Sequence, residues 1–161
     1  MPQHIGIVAC SAEGAALCYR TICLEGAELL GRHNHPEVSL HTHPLAEYMK
    51  CIDQGDWTGV AELMMSSAEK LARAGADFLI CPSGGMFGPR NNDPIVQARS
   101  RETHKYIVFV HPAEFLVTAP DGTIVEQTLL GDKLLISPDQ IGTDLDLKRV
   151  FYVDLPQPGN P

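Results

Sequence analysis

The chain has 161 residues, with 12 Lys and Arg against 20 Asp and Glu, a formal net charge of −8 and a pI near 5.2. This length fits one domain that buries a full core without a metal or a disulfide. The acidic charge and the lack of any Lys/Arg cluster exclude a surface that binds nucleic acid or an anionic membrane.

The sequence predicts a soluble cytoplasmic protein without disulfides. No apolar run approaches the ~20 residues that a membrane span requires, and the N-terminus MPQHIGIVAC lacks a basic leader followed by a cleavage site. The cysteines number five and show no CxxC spacing, which argues against a disulfide framework and against a Cys-based zinc site. We therefore expect free thiols, several of them buried.

The first half of the chain predicts the order β-α-β-α-α-β of a doubly wound sheet. A β-branched run from His4 to Cys10 predicts a central parallel strand, and Ser11 can cap the helix that follows it to about Gly31. The remaining elements of this half are a strand at 38–42, helices across 44–53 and 57–73, and a strand at 77–81.

The second half predicts one more helix and strand, and then a hairpin. Asp93 caps the helix, with Pro94 at its first position, and the turn Pro120-Asp121-Gly122 is typical of a hairpin. The predicted elements are a helix at 93–105 and strands at 106–110, 115–119, 123–128, 133–136 and 149–155. Residues 157–161 are predicted to form a frayed tail.

Together these elements predict a single α/β domain over residues 1–156. Alternating strands and helices favour a three-layer α/β/α architecture around a mainly parallel sheet. The C-terminal β-hairpin is expected to extend this sheet.

Ligands in open α/β sheets bind at the carboxyl ends of the strands, and five residues at these ends are candidate site residues. Cys81 closes a central strand and is the candidate acid/base group, if its thiol pKa is lowered; the alternative is a small buried hydrophobe. Cys10 and Ser11 lie where a helix N-terminus can hold a carboxylate, although Ser11 also fits a plain cap. Ser83 and Gly84 can present backbone N–H groups to an anion, or simply turn the chain.

His41 and His43 alternate along a predicted strand, so their rings share one side of it, a spacing that metal sites use. A third ligand would have to come from elsewhere, and no cluster of Asp, Glu, His or Cys provides one. We therefore expect no metal, with His43-Pro44 acting as the turn into the next helix.

The segments HIGIVACSAEGAALCYRTI at 4–22 and GADFLICP at 75–82 resemble the N-terminal half of the aspartate/glutamate racemase family. This resemblance covers roughly residues 1–82. It implies two acid/base groups, usually cysteines, on opposite sides of the substrate α-carbon, and no cofactor. The first group in that family belongs to an Asn-Thr turn after a strand, whereas this chain continues Ser83-Gly84-Gly85 and lacks the matching second half.

The segment from Pro82 to Gln127, PSGGMFGPRNNDPIVQARSRETHKYIVFVHPAEFLVTAPDGTIVEQ, is similar to the later part of the nitrilase (carbon–nitrogen hydrolase) family. The similarity extends over roughly residues 82–156. Nitrilases work with a Glu, a Lys and a nucleophilic Cys, all upstream of the matched region, so none of them is carried over to this chain. The two resemblances imply a hybrid, with a racemase-like fragment at 1–82 and a nitrilase-like fragment at 82–156.

The first functional hypothesis is a remnant racemase-like site that holds a small carboxylate or amino acid. Catalysis is expected to be lost, because the chain provides an acid/base group on only one side of the substrate α-carbon. If active, the chain would be a cofactor-independent isomerase. The alternatives are a purely structural hybrid without activity and a carbon–nitrogen hydrolase relative without its triad. We also expect a homodimer, because a half-domain leaves a strand edge or a helix face uncovered.

Overall fold

A computed structural model of the chain describes residues 3–83, 90–111 and 114–129, which form a six-stranded sheet and four helices. The elements are β1 (His4–Ala9), α1 (Ala12–Leu30), β2 (Glu37–Thr42), α2 (Leu45–Asp53), α3 (Trp57–Arg73), β3 (Phe78–Pro82), α4 (Asp93–Thr103), β4 (Tyr106–His111), β5 (Glu114–Thr118) and β6 (Ile124–Leu129). No helix within these ranges is long and apolar enough to cross a membrane.

The sheet has the order β2-β1-β3-β4-β5-β6. The first four strands of this order pair in parallel, and β5 and β6 pair antiparallel as a hairpin at one edge. The predicted α/β class, the mainly parallel sheet and the hairpin extension are therefore confirmed. The parallel strands β1 and β3 are buried on both faces, which explains their continuous apolar sequences.

The helices lie on both faces of the sheet and give the three predicted layers. One core cluster joins α1 to the sheet through Ala15, Cys18 and Ile22. The cluster on the other face contains Ala68 and Leu71 of α3 together with Val96 of α4. Helix α2 packs mainly against α3, and its buried residue is Tyr48.

Gly6 allows α3 to approach the centre of the sheet closely. A Cβ atom built on Gly6 would lie 3.2 Å from Leu71 Cβ of α3 and 2.8 Å from Leu79 Cδ2 of β3, so a larger residue would push these elements apart. The apolar run of β1 is thus interrupted by a glycine for a packing reason.

Element boundaries differ from the predicted ones by a few residues. Helix α4 ends at Thr103 because His104 adopts a left-handed conformation with φ 53°. The hairpin strand β5 begins at Glu114, one residue before the predicted start. The predicted strands at 133–136 and 149–155 and the tail at 157–161 lie outside the described residues, and the division into fragments at residue 82 stays a prediction.

Candidate functional site

The carboxyl ends of the parallel strands meet at one edge of the sheet and bring the predicted site residues to the same level. Ala9 of β1 is in register with Thr42 of β2, so Cys10 follows at the level of His43. Strand β3 ends beside β4, and the Ser83 backbone N–H donates to the Val110 carbonyl at 2.8 Å.

Side-chain alternation places several of these residues on the face of the sheet that α3 covers. Val8 belongs to the core cluster on this face, Cys81 packs against that cluster, and His41 bonds to a serine of α3. Because side chains alternate along a strand, Cys10 shares the face of Val8, and His43 shares the face of His41. The α3 face of the carboxyl edge is therefore the candidate site.

Cys81, the predicted acid/base group, lies at this edge as a neutral thiol. The residue is half-buried, yet it is packed closely enough that burial raises the pKa of its thiol to about 12. The neighbouring Cys10 and Cys18 raise it further. A thiol with this pKa is protonated at neutral pH, and the role of Cys81 toward a ligand stays a prediction.

Tyr48 lies beside the two site cysteines and was not predicted from the sequence. The residue is 2% exposed, and its hydroxyl is without a hydrogen-bond partner among the described residues. Burial raises the pKa of the Tyr48 phenol, and Cys10 and Cys81 add to the rise. The nearby hydroxyl of Ser67 opposes part of this rise in the Tyr48 pKa, although the two hydroxyl groups do not meet the geometry of a hydrogen bond.

His41 of β2 and His43, which directly follows β2, bond to serines of α3. His41 Nδ1 lies 2.8 Å from Ser67 Oγ, and its Nε2 lies 3.1 Å from Lys70 Nζ. Burial, Lys70 and His43 all lower the pKa of His41. His43 Nε2 lies 3.2 Å from Ser66 Oγ, and the two imidazole centroids are 4.9 Å apart.

The histidine pair has no third candidate ligand grouped with it in the described part of the chain, and the expected absence of a metal stays a prediction. No group of three or more His, Cys, Asp or Glu residues there has the spacing to hold a metal ion. Both histidines instead contact polar side chains of α3. The absence of a cofactor is a separate prediction that stays untested.

Of the remaining predicted residues, Ser11 and Ser83 lie at the edge, and Gly84 lies outside the described residues. Ser11 is the N-cap of α1, where its side chain accepts from the Gly14 N–H at 3.4 Å, so the cap role is present. Ser83 follows β3 at the edge, and Gly84 lies outside the described residues. A cavity of about 500 Å³ between α2 and α3 opens next to His43 and is lined by Glu47, among others.

A second polar cluster lies further along the same edge, and its centre is the fully buried Glu114. Glu114 accepts hydrogen bonds from the Arg90 backbone N–H at 3.1 Å, from Asn92 Nδ2 at 3.3 Å and from Gln127 Nε2 at 2.9 Å. Burial lowers the pKa of the neighbouring His111, while Glu114 opposes this shift. A glutamate in front of the apolar run FLV is the only sequence signal for this cluster.

Among solved structures, the chain is similar to a protein from Yersinia pestis assigned as an Asp/Glu racemase, with 19% sequence identity and a TM-score of 0.55. The match covers 68% of this chain and 45% of that chain. The fold is racemase-like. No protein-family profile matches the sequence, and no curated protein matches it either.

This likeness supports the racemase part of the sequence resemblance at the level of the fold. The site residues Cys10, Ser11, Cys81, Ser83 and Gly84 are placed by the structure as far as it describes them. Their roles toward a ligand stay predictions.

Proposed function

We propose that the chain binds a small carboxylate or amino acid at the carboxyl edge of its racemase-like sheet, and that it has lost racemase catalysis. The observation that carries the binding proposal is the convergence of Cys10, Cys81 and the unpartnered hydroxyl of Tyr48 on one face of this edge. Helix α1 begins beside Cys10, and the N-terminus of a helix favours an anion.

The proposed loss of catalysis follows from the protonation state of the Cys81 thiol. A racemase must remove a proton from the α-carbon on one side and return one on the other, which requires at least one group that accepts a proton. Burial keeps the Cys81 thiol protonated, with a pKa of about 12. A protonated thiol donates hydrogen bonds to a carboxylate but does not abstract an α-proton.

Binding and catalysis are tested separately on the intact chain. NMR titration with L-aspartate, D-aspartate, L-glutamate and succinate measures binding, and incubation of the amino acids in deuterated water measures exchange at the α-carbon. We expect shifts at the carboxyl edge without α-deuteration. Deuteration that Cys81→Ser abolishes, and that Cys23→Ser on α1 leaves intact, would contradict the loss of catalysis.

We propose, in addition, that the chain is a hybrid whose second piece supplies structure and no carbon–nitrogen hydrolysis. The sequence similarity of residues 82–156 to nitrilases supports this origin. The structural likeness covers 68% of the chain, so the racemase-like fold extends beyond the first piece. Ammonia release from simple amides that survives replacement of all five cysteines by serine would contradict the proposal.

A purely structural hybrid is the second candidate, and the raised pKa of Cys81 also favours it. It predicts that none of the four compounds in the NMR titration binds.

We further propose a cytoplasmic protein that forms a homodimer, since β2 is an edge strand with Leu40 exposed in the described structure. Light scattering coupled to size exclusion measures this directly, and a monomer at micromolar concentration would contradict it.

A further inference from the structure

We propose that two copies of the chain associate through β2, with the two β2 strands antiparallel across a two-fold axis at Leu40, so that the sheet of one copy continues into the sheet of the other. This inference rests on the homodimer proposed above, and it assigns that dimer an interface and a register.

The outer side of β2 is an unprotected strand edge. β2 lies at one end of the sheet order and pairs with β1 over its full length without a bulge. Residues 37–42, which the structure describes in full, contain no proline, and the charged Glu37 stands at one end. The opposite edge strand β6 carries Glu126 within it and pairs with β5 through a register shift. Charges, prolines and bulges protect strand edges, so β2 is the edge of the described sheet that is open to pairing.

Exposed apolar side chains flank this edge. Leu40 of β2 is 43% exposed. A Cβ atom built on Gly26 of α1 would lie 3.2 Å from His35 Cβ, so Gly26 faces the segment that leads into β2. Tyr19 and Leu30 lie seven residues before Gly26 and four residues after it, which places them on the same stripe of α1, and they are 47% and 53% exposed. A partner at β2 would cover Leu40 together with this stripe.

On the face that α1 covers, β2 is complementary to itself when Leu40 lies on the axis. Val38 packs against the core cluster of α1, and alternation places Leu40 and Thr42 on the same face. Residues directly opposite each other in an antiparallel pair share a face. The register therefore sets Leu40 against Leu40 of the partner subunit and Val38 against Thr42 of the partner subunit, which joins apolar and β-branched side chains.

On the face that α3 covers, the same register joins hydrogen-bonding groups. Ser39 lies opposite His41 of the partner subunit, and Glu37 lies opposite His43 of the partner subunit. The Glu37 side chain is 74% exposed and lies 4.0 Å from His4 Nδ1, at the limit of an ion pair. Each copy thus brings a carboxylate toward His43 of the other, which lines the cavity between α2 and α3.

The first experiment measures the oligomeric state by light scattering coupled to size exclusion. We expect the wild-type chain to be a dimer. Leu40→Lys should raise the dimerisation Kd about tenfold or more, because two leucines lose their burial and two ammonium groups meet on the axis. Val125→Lys is the matched control, since Val125 is also 43% exposed but lies on the opposite edge strand, and it should change the Kd by less than about twofold.

The second experiment reads the register through a disulfide. With Leu40 on the axis, the two copies of residue 40 would have Cα atoms about 4.5–5.5 Å apart, a distance that a disulfide spans. Leu40→Cys should therefore form a covalent dimer in the presence of oxidised glutathione. Thr42→Cys is the control on the same face, because this register puts its two copies about 13 Å apart along the strands. The wild-type chain, with peptide mass spectrometry, measures the background from the native cysteines.

The outcomes separate the proposals. A wild-type monomer at micromolar concentration would contradict the homodimer and this interface with it. A wild-type dimer that Leu40→Lys leaves intact would contradict the interface alone. Failure of Leu40→Cys to cross-link, or equal cross-linking of Thr42→Cys, would overturn the register. Carboxylate binding is measured independently by the NMR titration.

Discussion

Replacing Glu114 with glutamine tests how the second half of the sheet is held together. The glutamine keeps the size of the side chain but turns one carboxylate oxygen into a donor. With the new amide nitrogen at the Oε2 position, the bond from Asn92 Nδ2 is lost and two donors face each other. The bonds from the Arg90 N–H and Gln127 Nε2 persist as bonds to a neutral oxygen.

The magnitude follows from these three bonds. A hydrogen bond to a charged group contributes about 1.5–3 kcal/mol and a neutral bond about 1 kcal/mol, while the lower desolvation cost of the amide offsets part of the loss. We expect the free energy of unfolding to fall by about 2 kcal/mol, which lowers a urea midpoint by about 1 M for a slope near 2 kcal/mol per M. The control is Glu126→Gln on the exposed part of β6. Equal midpoints for the two variants would refute the role of Glu114.

Three further predictions concern packing, thiols and pH. Gly6→Ala should lower the free energy of unfolding by about 1–3 kcal/mol, because its Cβ would lie 2.8 Å from Leu79 Cδ2; an unchanged urea midpoint would contradict this. In timed thiol labelling near neutral pH, read by mass spectrometry, Cys18 and Cys81 should react last, because burial raises both pKa values to about 12. Burial lowers the pKa of His41 and His111, so the unfolded chain binds more protons than the folded one below about pH 6.5. Stability should therefore be complete above that pH and fall below it, and His111→Gln should reduce the slope; an unaltered slope in that variant would contradict the assignment.

The sequence was sufficient for the elements that local patterns determine. Apolar β-branched runs predicted β1 and β3, and Pro120-Asp121-Gly122 predicted the hairpin of β5 and β6, because turn chemistry and strand patterning act over few residues. The boundary at Thr103 was missed because the left-handed His104 has no distinctive residue type.

The site was predictable only in its location at the carboxyl edge. The burial of Tyr48 depends on how α2 packs against α3, which is a contact between elements that no local pattern encodes. The same holds for Glu114, whose three donors come from two segments of the chain, residues 90–92 and strand β6. A tyrosine in a helix and a glutamate at a strand start are ordinary surface residues by sequence, and only the tertiary structure makes them buried polar groups.

The packing that creates the site also decides its chemistry. Removing water from Cys81 stabilises the neutral thiol and raises its pKa to about 12. Within the described residues, the carboxyl edge thus lacks a strong proton acceptor at Cys81. Carboxylate binding and α-proton abstraction make opposite demands on such an edge, because the first needs donors and the second needs a base. A variant that lowered the pKa of Cys81, by placing a cation beside it, should therefore gain proton exchange only as it departs from the packing that now holds Tyr48 in place.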